Sequence, residues 1–158
     1  MEGKRISESA SEYLELALPT DANHFGNMLG GKVMHLVDVA GAMAGMRHAR
    51  MPIVTASVDS LQFLHPVRLG TLIILRASVN RVFRTSMEVG VQVMTENLLT
   101  GEHQHTCSAY LTFVAIDQEG KVVPIPPAIP ETEVEHRRYR EAGERREYRL
   151  NLRNRSKS

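Results

Sequence analysis

The stretch Asn23-His24-Phe25-Gly26-Asn27-Met28-Leu29-Gly30-Gly31-Lys32-Val33-Met34-His35-Leu36-Val37-Asp38 decides how the rest of the chain is read. A polar, glycine-punctuated loop runs into a long, mostly apolar segment that carries a carboxylate well inside it. From about Gly30 to Arg47 the apolar residues recur at helical spacing, with Val33, Val37, Ala40 and Ala44 on one count and Met34, Val37, Gly41 and Ala44 on another. Gly41, Gly45 and the alanines between them make this a thin helix, around which a sheet can close tightly. Asp38 breaks the pattern. Asp competes for backbone hydrogen bonds inside a helix and is costly to bury ionised. Eight residues past Gly30, it is too far in to cap the helix start. A half-buried carboxylate with no local structural task is a candidate for chemistry.

Strand-like runs surround this helix. Tyr13 to Leu18 reads as a short strand stopped by Pro19, and residues 20 to 29 as loop. After the helix come Val54 to Phe63, ended before Pro66, then Thr71 to Phe83 and Ser86 to Asn97 with a tight turn at Arg84-Thr85. Glu88 to Val93 alternates as a half-buried strand does. His105 to Ile116 is the last run; Asp117-Gln118-Glu119-Gly120 turns the chain, and Pro124, Pro126, Pro127 and Pro130 forbid regular pairing beyond it. The order predicts an α+β fold, one long central helix against an antiparallel sheet of about five strands. One helix covers one face and leaves the sheet edges open, so pairing with a second copy is expected.

From Glu131 the composition turns to charge. Residues 131–158 carry nine Lys or Arg against six Glu, a net +3, which leaves −2 for the remainder. Residues 1–130 are therefore read as one domain. Residues 131–158 are read as a charged, helical C-terminal extension with solvated faces, frayed at Ser156-Lys157-Ser158. The whole chain of 158 residues has length enough for a sizeable core, and its net charge of +1 gives no argument for nucleic acid. The single Cys107 excludes an intramolecular disulfide and fits a reducing compartment. No apolar run approaches the roughly 20 residues of a membrane span, and Met1 to Glu12 has neither the apolar core of a secretory signal nor the acid-poor composition of a transit peptide. A soluble, cytoplasmic protein is expected.

Asn23, Gly30, Gly31 and Asp38 form a hydrolytic set. Amides at a helix start lack intrahelical partners and point outward, towards developing negative charge. The Gly31 amide is suited to a tetrahedral oxyanion, a contribution of about 3 kcal/mol to catalysis. Glycines there also clear the approach of a carbonyl. Asp38 is suited either to activating water or to attacking a carbonyl directly, and the Asn23 amide to orienting either the water or the substrate oxygen. Seven residues of helix separate Gly31 from Asp38, about 10 Å along the axis. One scissile carbonyl cannot easily touch both, so the expected site sets Asp38 of one subunit beside the helix start of a neighbour.

The segment N-H-x-G-N-x-x-G-G-x-x-M-x-x-x-D spanning Asn23 to Asp38 resembles the signature of the hotdog-fold acyl-CoA thioesterases, the group of the brain acyl-CoA hydrolase and the bacterial YciA-type enzymes. Ser57-Val58-Asp59-Ser60-Leu61-Gln62-Phe63-Leu64-His65-Pro66-Val67-Arg68-Leu69-Gly70 resembles a second family motif, and Arg81-Val82-Phe83-Arg84-Thr85-Ser86-Met87-Glu88-Val89 a third. The likeness covers roughly residues 12 to 130. It departs at Thr71, where the family usually has Asp. The resemblance implies a helix wrapped by an antiparallel sheet, dimers, and often trimers of dimers. It implies hydrolysis of acyl-CoA to a carboxylic acid and CoA, with Asp38 and Asn23 from different subunits. CoA would lie near Ser57, Arg81, Arg84, Thr85 and Ser86, the arginines meeting its phosphates. Met34, Met43, Met46 or Leu61 would line the acyl slot.

Other side chains carry weaker signals. His103-x-His105 is a poor metal pair, and neither a metal nor a cofactor is expected, CoA being part of substrate and product. Cys107 reads as core. Arg137, Arg138, Arg145 and Arg146 could hold a neighbour's nucleotide. The rival readings are a non-catalytic acyl-CoA or nucleotide-binding protein of the same fold, and a related dehydratase using His24 or an aromatic acyl-CoA thioesterase. Neither nucleic acid nor membrane is an expected partner.

Overall fold

The computed structural model describes residues 1–157. At its centre lies helix α1 (Gly30–Ala49), closed at its C-terminus by Arg50 in the left-handed region, whose N–H donates to the Met46 carbonyl at 2.7 Å. Five antiparallel strands wrap it. In spatial order they are β2 (Ser11–Leu16), β4 (Leu72–Phe83), β5 (Ser86–Glu96), β6 (His103–Ala115) and β3 (Ile53–Phe63). This is the central helix and five-stranded sheet expected, with strand ends within a few residues of those read from the pattern.

Alternation along the strands builds the core. Ile73, Leu75 and Val79 of β4, Met87, Val89, Val91 and Val93 of β5, and Cys107, Ala109, Leu111 and Phe113 of β6 form one buried cluster with Val33, Val37, Ala40 and Ala44 of α1. The helix is thin for a reason. A Cβ on Gly45 would come within 2.8 Å of Ile53 Cδ1 and 2.9 Å of Met87 Cε, and one on Gly41 within 3.4 Å of Leu111 and Phe113. Strand β3 is an edge. Its ladder with β6 shifts register between Thr55 and Ser57 and again between Asp59 and Gln62, and Ser60 adopts a φ of 54°.

Two expectations are corrected. The proline-rich stretch does pair: β1 (Lys4–Arg5) runs in parallel with β7 (Ala128–Ile129). The prolines do not forbid this short pairing, because Ala128 and Ile129 fall between Pro127 and Pro130 and supply what the proline rings cannot. Ile6 is buried behind the pair, and Ser9 Oγ donates to the Ile6 carbonyl while accepting from Val79 N at 2.9 Å. Lys4 Nζ donates to the His48 carbonyl at 2.8 Å, a cation at the C-terminal end of α1 where the helix dipole favours it.

The second correction concerns the charged extension. It forms helix α2 (Glu133–Ser156), started by a Thr132–Glu135 capping box, but it is not solvated on every face. It lies on the face of the sheet opposite α1. Ala142 is fully buried, and a Cβ on Gly143 would press within 2.5 Å of Arg81 Nη1. Arg145 grips Glu88 with two hydrogen bonds of 2.7 and 3.0 Å and stacks on Tyr110, its guanidinium carbon 3.6 Å from the ring centroid. Glu88, only 1% exposed, also accepts from Asn80 Nδ2 at 2.9 Å. Arg149 pairs with Asp59 at 2.9 Å, and Arg81 stacks on Tyr139 at 4.2 Å. Hydropathy missed this interface because arginines, rather than an apolar stripe, make it. Of the expected frayed end, Ser156 closes α2 and Ser158 lies outside the described residues.

Removing Arg145 strands a buried carboxylate. Arg145→Met should lower unfolding free energy by about 3 kcal/mol in urea titrations, and Glu88→Leu added to it should restore most of the loss.

His48 gives a pH dependence. Burial pushes its pKa below the ordinary 6.5; Lys4 adds to the shift, while the Pro126 carbonyl, 2.7 Å from Nε2, and Glu8 oppose it. Its Nδ1 is buried without a partner, so the imidazolium would carry an unmatched donor. The unfolded chain therefore takes up this proton at higher pH than the folded one, and stability is complete above about 6.5 and lost as pH falls towards the depressed folded value. The melting temperature should drop between about pH 7 and about pH 5, and His48→Gln should flatten part of that drop.

Candidate active site

The loop before α1 is tied by its own asparagine. Asn23 Oδ1 accepts from Phe25 N at 2.8 Å and Asn27 N at 3.2 Å, while Asn23 N donates to the Asn27 carbonyl at 2.7 Å. Gly26 permits the turn with a φ of 76°. Met28 N to the Val67 carbonyl at 2.7 Å and Leu29 N to the Asp21 carbonyl at 2.8 Å anchor the loop to its neighbours. The Asn23 oxygen is thus committed to backbone, and its Nδ2 donor is the group left for a ligand.

Leu29 occupies the N-cap of α1 and has no side-chain acceptor to offer. The first bonds of the helix are Lys32 N and Val33 N to the Leu29 carbonyl at 3.0 and 3.2 Å. The N–H groups of Gly30 and Gly31 have no acceptor among the described residues. Gly31 is exposed and a Cβ on it would meet nothing within 4 Å; at Gly30 the Phe63 ring would stand 3.7 Å away.

Asp38 is half-buried on α1, and its Oδ1 accepts from Thr55 Oγ1 of β3 at 2.7 Å. Thr55 was not foreseen. A threonine in an edge strand reads as an ordinary β-former, and only the register of β3 against β6, which places Thr55 opposite Phe113 on the helix side, brings it to Asp38. Within one chain the expected residues form two groups, Asn23 with Gly30 and Gly31, and Asp38 with Thr55. Large apolar side chains lie open along the elements that carry both groups: Phe25, Leu29, Met34, Val54, Val58 and Phe63. Of the expected acyl slot, Met46 is also open, and Met43 and Leu61 are half-buried.

The hairpin residues separate by role. Arg84, exposed with a φ of 68°, forms the β4–β5 turn with Thr85 and Ser86 beside it. Arg81 instead is held under α2, between Tyr139 and Phe83, and donates to the Tyr139 carbonyl at 3.3 Å. Arg146 reaches the same tip, 4.8 Å over Phe83. Ser57 lies on the α2 side of the sheet, opposite Thr112 in the ladder row of Glu88, two residues along from that of Ser86, and its Oγ is buried without a partner. Thr71 closes its turn by donating to the Arg68 carbonyl at 2.7 Å. Clefts of about 420 and 520 Å³ lie on this same outer face, lined by Ser78, Gly90 and Tyr110 and by Asp59, Tyr148 and Arg149 respectively, away from Asp38.

Other candidates resolve into structure. Burial pushes the Cys107 thiol up to about 11, which leaves it protonated and unreactive near neutral pH. His105 Nε2 bonds Ser108 Oγ at 2.8 Å, and His103 pairs with Glu96 at 2.9 Å. Among the described residues no group of three metal-ligating side chains converges. His24 is exposed. Among the extension's arginines, Arg145 is held by Glu88, and Arg137 lies 3.9 Å from Glu141.

Comparison with known proteins bears on these residues. The thioesterase superfamily profile matches residues 25–102. An uncharacterized acyl-CoA thioester hydrolase of Bacillus subtilis, YkhA, is 43% identical over 117 residues, covering 74% of this chain and 68% of its own. An apo-hexameric acyl-CoA thioesterase superposes with a TM-score of 0.93 at 40% identity, covering 96% of this chain and 97% of that one. The acyl-CoA hydrolase of Staphylococcus aureus, solved with butyryl coenzyme A, coenzyme A and coenzyme A disulfide, gives 0.90 at 38% identity, covering 98% and 94%. That enzyme has also been solved with alanine in place of an asparagine, of an aspartate fifteen residues later, and of a threonine seventeen beyond that. Asn23, Asp38 and Thr55 stand at those same intervals here. Fold, motif spacing and identity over most of its length agree, and the chain belongs to the hotdog-fold acyl-CoA thioester hydrolases of the thioesterase superfamily.

Proposed function

We propose that this protein hydrolyses acyl-CoA to a free carboxylic acid and CoA, in a site completed by two copies of the chain. The observation that carries this reading is the Thr55–Asp38 hydrogen bond. It fixes one carboxylate oxygen at 2.7 Å and leaves the other for chemistry, on a half-buried stretch of α1. The fit of Asn23, Asp38 and Thr55 to the intervals substituted in the Staphylococcus aureus enzyme supports it.

In this reading Asp38 takes a proton from water, and the hydroxide attacks the thioester carbonyl. The oxyanion of the tetrahedral intermediate is met by the Gly31 amide, with the Asn23 Nδ2 donor beside it. Collapse expels the CoA thiolate, which receives the proton from Asp38. No cofactor enters the balance. Because α1 holds Gly31 and Asp38 about 10 Å apart, the donors are supplied by a neighbouring copy. The open apolar side chains Val54, Val58 and Phe63 on the edge strand and Met34 on α1 are the surface on which that copy would seat.

A dimer, and three such dimers in a hexamer, is the assembly we infer; the hexameric state of two solved relatives supports it. At the β4–β5 turn, Arg84 with Thr85 and Ser86 is the place for CoA phosphate, with Arg146 as a second cation. Arg81 and Ser57 act there indirectly, by supporting the hairpin and the adjoining ladder. Among the described residues no helix is long and apolar enough to cross a membrane. A cytoplasmic location agrees with relatives named as cytosolic hydrolases in rat, mouse and human.

Two measurements test this. Asp38→Asn should reduce thiol release from saturated acyl-CoAs by at least about a hundredfold, and Thr55→Val by about tenfold, with assembly unchanged. Full turnover by a well-folded Asp38→Asn protein would overturn the reading. Asn23→Ala and Asp38→Asn chains should each be nearly inactive alone. Unfolded and refolded together, they should recover about one quarter of wild-type activity, since half the dimers are mixed and each mixed dimer has one intact site. A site contained within one chain would show no recovery.

A further inference from the structure

Beyond the Arg146 cation, helix α2 supplies no group to the bond-making above, yet it is attached to the strand that carries Thr55. We propose that α2 is a brace that positions the Thr55–Asp38 pair, with Arg149 and Asp59 as positioning residues; this rests on Asp38 acting as proposed. The contacts of α2 follow the spatial order of the strands. Tyr139 meets Arg81 of β4, Arg145 meets Glu88 of β5 and Tyr110 of β6, and Arg149 meets Asp59 of β3. From Tyr139 to Arg149 the helix advances about 15 Å, and three strand spacings amount to about 14 Å. The helix therefore runs across the strands, from the buried middle of the sheet to its edge.

Within one chain, that edge is where positioning is weakest. In this chain β3 has a neighbour on one side only, and its ladder is interrupted on both sides of the segment Ser57–Asp59. Ser60 next to it has a φ of 54°. The opposed hydroxyls of Ser57 and Thr112 are both buried without partners, so they add no tie across the ladder there. The Arg149–Asp59 pair, 2.9 Å and about one quarter exposed on each side, is the polar side-chain tie that holds this segment from outside. The interruption between Thr55 and Ser57 sets which face Thr55 takes. A shift of one residue would turn Thr55 away from α1 and release Asp38. At its other end the brace rests on Glu88, buried in a central strand and gripped twice by Arg145. Burial pushes the Arg145 guanidinium down, but hydrogen bonding and charge from Glu88 outweigh it, so this end of the brace stays charged.

The test combines kinetics with hydrogen exchange. Arg149→Met and Asp59→Asn should each lower kcat about tenfold with KM within about twofold, while Arg149→Lys keeps most of the rate. Arg149→Met added to Thr55→Val should cost little beyond Thr55→Val alone, because both act through the same hydrogen bond. In Arg149→Met, amide exchange should quicken over residues 53–63 and stay as in the wild type in α1 and β5. Wild-type exchange in β3 would overturn the brace whatever the activity. So would full additivity with Thr55→Val, or a loss confined to KM, which would make Arg149 a substrate contact. Failure of the catalytic reading shows separately, as an Asp38→Asn protein that still turns over.

Discussion

The approach of β3 to α1 governs the rest of this molecule. Thr55 reaches Asp38 where α1 lies close against the sheet, with glycine at 41 and 45 where a Cβ would crowd Leu111, Phe113, Ile53 and Met87. Gly41 and Gly45 are therefore part of what allows that close approach. They set the distance from helix to sheet, and that distance sets the orientation of a carboxylate. The cost is a helix interior poorer in intrinsic helix preference, offset by burial against Phe113, Met87 and Ile53.

Around that contact the two faces of the sheet are held by different physics. The α1 face is a continuous apolar cluster of valine, leucine and isoleucine. The α2 face is held by arginines on a carboxylate, on aromatic rings and on an aspartate, with Ala142 as its fully buried apolar residue. Apolar burial is tolerant of small shifts, whereas a bidentate guanidinium–carboxylate pair is directional. The first face supplies stability; the second supplies register across the strands.

This division explains what could be read from the sequence. Period-two and helical apolar patterns report the α1 face, so α1, the five strands, the turn at Arg84-Thr85 and the core position of Cys107 were all legible. Asn23, Gly31 and Asp38 were legible as oddities, a carboxylate without a local task and glycines at a helix start. Thr55 was not, because its partner is seventeen residues away and nothing about threonine in a strand marks it. The docking of α2 was not, because its arginines carry the same letters whether they face water or Glu88. The β1–β7 pair escaped notice because two residues between prolines give no period to detect.

The interrupted ladder of β3 has a consequence for the company this protein keeps. A regular strand edge offers an unbroken row of donors and acceptors to any extended peptide, the usual route to indiscriminate sheet growth. Here two misaligned steps and a left-handed serine spoil that row for a straight strand. The same distortion that aims Thr55 thus also discourages strangers from extending the sheet.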